Sequence, residues 1–215
     1  LRPLGLRLDP DLFMMCRSPE PQEFTALPAG FYFDLCREEE LDIWRAFPFD
    51  EKDAAQEFSA YMKQYFDEVY RPKGDLFFSK CLFVRNAEGV PVATGFLWKA
   101  YDRINTLHWL KVKKKWEDRG IGRALISRLL SELGSTDFPI YLHTQASSYR
   151  AIKLYTDFGF ELITDPFVGD RKNGLEEGQR LLKQSMRPED WIRLRFTSAP
   201  AQFLETVRSS AIHEF

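Results

Sequence analysis

Lys115-Trp116-Glu117-Asp118-Arg119-Gly120-Ile121-Gly122-Arg123-Ala124-Leu125 is a glycine-punctuated turn that follows an apolar-alternating segment and opens an amphipathic helix. Two glycines let a backbone approach a ligand closely, and a helix N-terminus presents amides that the helix itself does not satisfy. Together they suit an anionic phosphate group. A dinucleotide fingerprint needs a third glycine, but position 125 is Leu. A nucleoside-triphosphate loop needs Gly-Lys-Ser/Thr, but Arg123 and Ala124 follow Gly122. Both readings fail on residues.

Outward from this turn the chain alternates strands and helices. Residues 105–113 read as a strand with Thr106, His108, Leu110 and Val112 on one face and Leu107, Trp109 and Lys111 on the other. Residues 76–85 and 90–101 flank Asn86-Ala87-Glu88-Gly89 as a hairpin. Upstream, residues 12–16 and 30–36 read as short strands. Residues 38–47 and 51–70 read as helices, the second with Ala54, Phe58, Tyr61, Tyr65 and Val69 in one apolar stripe. Downstream, the glycine turn leads into a helix to about Leu133, with Leu125, Leu129 and Leu133 in one row. Residues 139–144 form a strand, and Ser147 or Ser148 caps a helix over 149–158 that Gly159 ends. Residues 160–163 form another strand. After Pro166 the pattern gives a polar loop over 169–178 and helices over 181–186, 189–194 and 201–212. These assignments predict an α/β (α+β) fold in residues 1–168, with 169–215 as a helical C-terminal extension packed on the same domain.

The 215 residues carry a formal net charge of -2, so nothing in the balance suggests a nucleic-acid binder. No apolar run is long enough to cross a membrane, and the N-terminus has no signal-peptide pattern. Cys16, Cys36 and Cys81 are odd in number and widely spaced, which points to reduced thiols and a cytoplasmic location. The chain begins at Leu1, so a native start or targeting segment upstream stays open. No His/Cys cluster has metal-ligand spacing and no Gly-x-Ser-x-Gly is present, so no metal is expected. Trp98, Trp109 and Trp116 read as packing residues, and His213 as a surface histidine.

Glu117-Asp118-Arg119-Gly120-Ile121-Gly122 resembles the acyl-CoA loop of the GNAT superfamily of N-acyltransferases, Arg/Gln-x-x-Gly-x-Gly/Ala at a helix start. Glu117 stands where the family usually has Arg or Gln, and Arg119, Arg123 or backbone amides are the substitutes at hand. Downstream, Ala151-Ile152-Lys153-Leu154-Tyr155-Thr156-Asp157-Phe158-Gly159-Phe160 is similar to the second GNAT signature, Ala-Ile-x-Leu-Tyr-x-x-x-Gly-Phe. Ser148 occupies a position where the family often has Asn. The joint match covers roughly residues 76 to 163, in the family's order of elements.

The resemblance implies a mixed, mostly antiparallel central sheet flanked by helices, with splayed strands around Val112 and His143 forming the cofactor cleft. It implies acetyl-CoA as acyl donor. Leu110, Lys111 and Val112 pair with the pantetheine arm, and Asp118, Arg119, Gly120, Ile121, Gly122 and Arg123 hold the pyrophosphate. Ser148 and Lys153 join them as cofactor-binding residues. The run Lys111, Lys113, Lys114, Lys115 either steers the CoA phosphates or is a solvated strand end. Tyr155 is the candidate acid near the thioester sulfur, and a backbone amide near Leu110 is the oxyanion donor, at a bulge carried by the family's strand. His143 is the first candidate base, since some members place a Glu at its position, and His108 is the competitor. The implied activity is acetyl transfer to the primary amine of a small-molecule or peptide acceptor, without a covalent enzyme intermediate. A homodimer is compatible with it. The alternative is a non-catalytic acyl-CoA-binding or regulatory module, and a third reading is a scaffold that has lost the cofactor.

Overall fold

The computed structural model describes residues 9–215. In chain order it contains β1 (Asp11–Cys16), β2 (Phe31–Leu35), α1 (Leu41–Ala46), α2 (Lys52–Glu57), α3 (Ser59–Tyr65), α4 (Leu76–Lys80), β3 (Leu82–Asn86), β4 (Pro91–Ala100) and β5 (Ile104–Val112). Then come α5 (Ile121–Ser131), β6 (Ile140–Gln145), α6 (Tyr149–Asp157), β7 (Glu161–Ile163), β8 (Phe167–Val168), β9 (Arg171–Lys172), α7 (Leu175–Ser185), α8 (Pro188–Trp191), β10 (Phe196–Thr197) and α9 (Ala201–Arg208). The predicted mixed, mostly antiparallel sheet flanked by helices is present. β1 pairs antiparallel with β6 and β7, β2 with β3, and β3 with β4, while β5–β6 and β7–β10 are parallel. The chain divides into two compact units, and β4 and β5 each run through both.

One unit comprises Phe24–Trp98 and Leu107–Glu132, with strands in the order β5-β4-β3-β2. Its core is aromatic. Trp44 is fully buried and lies edge-on to Tyr70, Phe77 and Trp109 at centroid separations of 5.7, 4.8 and 5.8 Å. This cluster accounts for one departure from the expected elements. Residues 76–80 form helix α4, not the start of a strand, and the turn carries Phe77 into the cluster. A short apolar run suits a strand or a helical turn equally, and packing decides between them. The helix expected over 51–70 is also interrupted. Ser59 Oγ donates to the Gln56 carbonyl at 2.9 Å, a local bond that competes with the helical ladder, and α3 runs into a π-helical turn over Phe66–Tyr70. The buried stripe is therefore Met62, Phe66, Val69 and Tyr70, with Tyr61 and Tyr65 half-buried beside it. The hairpin forms as expected: Gly89 takes a φ of 80°, and Asn86 Oδ1 accepts the Val90 amide at 2.9 Å. On β3, buried Arg85 is clamped by Glu40 (2.7 and 2.8 Å) and Asp34 (2.9 Å). Helix α5 buries Leu125 and Leu129, and it ends before Leu133.

The other unit comprises the described residues up to Glu23, Lys99–Thr106 and Leu133–Phe215. Its strands run β10-β7-β1-β6, and β5 joins β6 through Asn105 and Thr106. Because β1 lies between two strands, Leu12, Phe13, Met14, Met15 and Cys16 are all fully buried, so this segment is an unbroken apolar run. The expected polar loop over 169–178 instead holds β9 and the start of α7. Gly178 sits within that helix, where a Cβ would come within 2.8 Å of Leu12 Cδ2. A larger residue there would require the buried Leu12 side chain to shift. Phe203 of α9 stacks on Tyr141 of β6 at 3.8 Å and 3°. The C-terminal stretch also supplies β10, an edge strand that the helix-only expectation for this stretch does not include. Two residues are too few to show a period of their own.

Candidate active site

β5 does not keep the expected alternation. Trp109 has a φ of 51°, an unusual value for a bulky residue inside a strand. The kink turns two successive side chains to one partner: His108 Nδ1 lies 2.7 Å from the Tyr70 hydroxyl, and Trp109 Nε1 donates to that same oxygen at 2.9 Å. A β-bulge re-aims a strand in a similar way, and the kink at Trp109 is called a bulge in that sense. Tyr70 is fully buried, and burial holds its phenol well above the ordinary tyrosine range. His108 is 7% exposed and packs against the rings of Phe96 and Tyr70. Beyond the bulge, Leu110, Lys111 and Val112 are half-buried.

The lysines that follow have work of their own. Lys111 Nζ donates to Asp50 Oδ2 at 2.6 Å, the Lys114 amide donates to Asp50 Oδ1 at 3.0 Å, and Lys113 Nζ donates to the Phe49 carbonyl at 2.6 Å. Burial alone would raise the Asp50 carboxyl, but these hydrogen bonds outweigh it and hold the group below the usual carboxylate range. Lys111 and Lys113 thus fasten the segment between α1 and α2.

The glycine turn is exposed. Asp118 and Gly120 take φ values of 59° and 79°, and α5 begins at Ile121 with Arg123 and no acidic residue in its first turn. A Cβ at position 120 would have only Pro28 Cγ, at 3.8 Å, as a neighbour. The Arg119 guanidinium lies 4.9 Å from the Trp116 ring centroid, and Trp116 meets Phe31 edge-on at 5.5 Å. Trp116 is a packing residue, as expected.

In the other unit, Tyr155 on α6 is 5% exposed and lies 5.8 Å from the Phe160 ring. Burial alone pushes its phenol above the ordinary value, so it stays protonated near neutrality. His143 on β6 places Nε2 2.9 Å from Asp11 Oδ1 and its ring 5.3 Å from Phe13. Ser148 precedes α6 but makes no side-chain capping bond. Lys153 Nζ donates to Asp157 Oδ2 at 2.6 Å, and Arg193 reaches the same carboxylate at 3.1 Å. His213 is exposed, 3.7 Å from Asp170. Among the described residues no group of His, Cys, Asp and Glu could hold a metal ion, and no helix is long and apolar enough to cross a membrane. Two partners of the candidate histidines, Asp11 and Tyr70, carry no signal in the sequence. They stand 132 and 38 residues away from them along the chain.

The model of the acetyltransferase (GNAT) family matches residues 34–160. No curated protein matches. Among solved structures, a GCN5-related N-acetyltransferase from Sphaerobacter thermophilus aligns at 19% identity and a TM-score of 0.50, over 74% of this chain and 50% of that one. A tandem GNAT protein from the clavulanic acid biosynthesis pathway aligns at 11% identity and a TM-score of 0.51, over 72% and 50%. The chain spans about half the length of these structures. With the family's model covering more than half of the sequence, and its glycine turn leading into α5, the chain belongs to the GNAT acetyltransferase family.

Proposed function

We propose that this chain transfers the acetyl group of acetyl-CoA to a primary amine by direct attack in a ternary complex. The turn into α5 carries this reading. It has two residues of positive φ, only Pro28 Cγ at 3.8 Å as neighbour to a Cβ at Gly120, and a first helical turn bearing Arg123 and no acid. Helix N-termini ordinarily collect acidic side chains because the dipole favours negative charge there. A basic first turn suits an anion supplied by a ligand. The amides of residues 118–123 hold the pyrophosphate, Arg119 and Arg123 add charge, and the main chain of Leu110, Lys111 and Val112 pairs with the pantetheine arm. Ser148 and Lys153 contribute further cofactor contacts.

In the reaction the neutral amine attacks the thioester carbonyl, and a C–N bond forms. His143 takes the amine proton, with His108 as the competing base. A main-chain N–H beside the Trp109 bulge donates to the oxyanion. Collapse of the tetrahedral intermediate breaks the C–S bond, and Tyr155 hydrogen-bonds the departing thiolate. A thiol with a pKa of about 8.5 is a stronger acid than this buried phenol, so Tyr155 stabilises the thiolate without surrendering its proton.

The acceptor is a small-molecule or peptide amine. Calorimetry with acetyl-CoA and a screen of primary amines for thiol release test the proposal. Binding with turnover is expected. Binding without turnover would make the chain an acyl-CoA-binding module, and absence of binding would sink both readings.

A further inference from the structure

We infer that Asp11 is a positioning residue for this reaction, holding His143 in the tautomer and orientation of a general base. The inference rests on the reading of His143 as the base. Asp11 opens β1, and its carboxylate Oδ1 lies 2.9 Å from His143 Nε2 on the neighbouring strand β6. In the antiparallel register Phe13 is opposite His143 and Asp11 opposite Gln145, so Asp11 reaches His143 diagonally along one sheet face. An ionised carboxylate only accepts hydrogen bonds, so Nε2 carries the proton and Nδ1 carries the lone pair that takes a substrate proton. The Phe13 ring, 5.3 Å away, packs against the imidazole and limits its rotation.

Asp11 is itself fixed. Its carbonyl accepts the Gly174 amide at 2.8 Å, and Gly174 packs so close to Pro10 that a Cβ there would come within 2.5 Å of Pro10 Cβ. The Asp11 side chain is 13% exposed and that of His143 23%, so the pair is sheltered and the imidazole is the more exposed of the two. Other charges border this region: Arg171 of β9 lies over the Phe13 ring at 4.8 Å, and Asp9 accepts the Ser147 amide. Asp11 is the carboxylate that meets the imidazole at hydrogen-bond distance, and it stabilises the imidazolium formed when the amine proton is taken. A base oriented by a third group in this way is a recurring arrangement in catalysis.

The test is the pH profile of acetyl transfer for wild type, Asp11→Asn, Asp11→Glu, His143→Ala and Asp11→Asn/His143→Ala, using acetyl-CoA and the best acceptor from the amine screen. Asp11→Asn should lower kcat about tenfold or more. It should also move the acid limb of the profile to lower pH by about one unit, because loss of the carboxylate makes the imidazole less basic. KM for acetyl-CoA should not move, Asp11→Glu should recover part of kcat, and the double variant should be no slower than His143→Ala. An unchanged acid limb in Asp11→Asn, with the limb abolished in His143→Ala, would overturn the role of Asp11 and leave the base assignment standing. An unchanged profile in His143→Ala would overturn the base assignment and the role of Asp11 together. Failure of every amine to turn over would remove the activity on which both rest.

Discussion

Substituting Gly120 separates the cofactor loop from a turn that merely has its shape. Gly120 holds a φ of 79°, and an added Cβ would meet only Pro28 Cγ at 3.8 Å. Within the protein, Gly120→Ala therefore incurs the left-handed backbone penalty and no collision. That penalty is about 1–2 kcal/mol, offset in part by the stiffer unfolded chain, which returns roughly 0.4–1 kcal/mol. The net loss is about 1 kcal/mol, or roughly 2–4 °C in Tm for a chain of this size. Gly30 is the matched control: its φ is 86° and an added Cβ would meet nothing within 4 Å. Gly30→Ala should cost the same stability and leave acetyl-CoA affinity untouched. Gly120→Ala should weaken acetyl-CoA by at least about tenfold, or 1.4 kcal/mol, because on the proposed placement the methyl enters the pyrophosphate cradle. Gly120→Glu should abolish measurable binding. A carboxylate about 4 Å from a phosphate oxygen is repelled by roughly 1–4 kcal/mol at effective dielectric constants between water and a protein surface, and added salt should recover part of that loss. Calorimetry with acetyl-CoA and thermal melts on the same samples give both quantities. Equal Tm losses at positions 30 and 120 with unchanged acetyl-CoA affinity in both position-120 variants would refute the placement of the pyrophosphate.

Four further outcomes follow from the geometry. Tyr155→Phe should lower kcat about 10- to 100-fold while leaving KM for acetyl-CoA and Tm nearly unchanged; an unaltered kcat would remove Tyr155 from the chemistry. Arg85→Ala should cost about 3 kcal/mol in urea unfolding, since it takes the guanidinium from the largely buried Glu40 carboxylate and leaves it the Arg37 amide, and a loss within about 1 kcal/mol would show that the Arg85 cluster is structurally idle. Burial raises the Cys16 thiol and the Tyr141 phenol to about 12 each, so the folded chain holds both protons more tightly than the unfolded one. Their stabilisation is complete below the ordinary values of 9.0 and 10.0 and is lost as pH rises through about 12; Tyr141→Phe should flatten this alkaline decline in denaturation midpoints. His108→Leu should lower stability by about 1–3 kcal/mol by removing the imidazole from the buried Tyr70 hydroxyl, and should leave the acid limb of the pH–rate profile in place.

The parts of the fold that were legible in the sequence are those fixed by local covalent constraint. Gly120 and Gly159 mark backbone conformations that other residues resist, and Leu125 and Leu129 mark a helical face. The left-handed backbone at Trp109 has no glycine to announce it, and only the family resemblance points to a bulge on this strand. There the Tyr70 hydroxyl, on another element, meets two successive side chains. Helix α4 was illegible for a similar reason: Leu76, Phe77 and Phe78 read as a strand until the rings of Trp44, Phe66 and Tyr70 decide where Phe77 must point. Tyr155 and the turn at Gly120 are candidates that the resemblance of their motifs to the family's signatures supplies, whereas Asp11 and Asp50 make their contacts with partners distant in the chain.

The two histidines show why those distant partners matter. A general base ends its step positively charged, so its surroundings are judged by how well they hold an imidazolium. His108 is nearly enclosed by Phe96 and Tyr70, and its Nδ1 partner is a phenol that burial keeps neutral. Desolvation in such a place disfavours the charged form. His143 is less enclosed and has a carboxylate at 2.9 Å, so charge formed there is paired as it appears. On the proposed reaction, His108→Leu is expected to act on stability and His143→Ala on the pH dependence of turnover. If the acid limb disappears with His108→Leu and survives His143→Ala, the enclosure around His108 tolerates charge after all, and the roles of the two residues exchange.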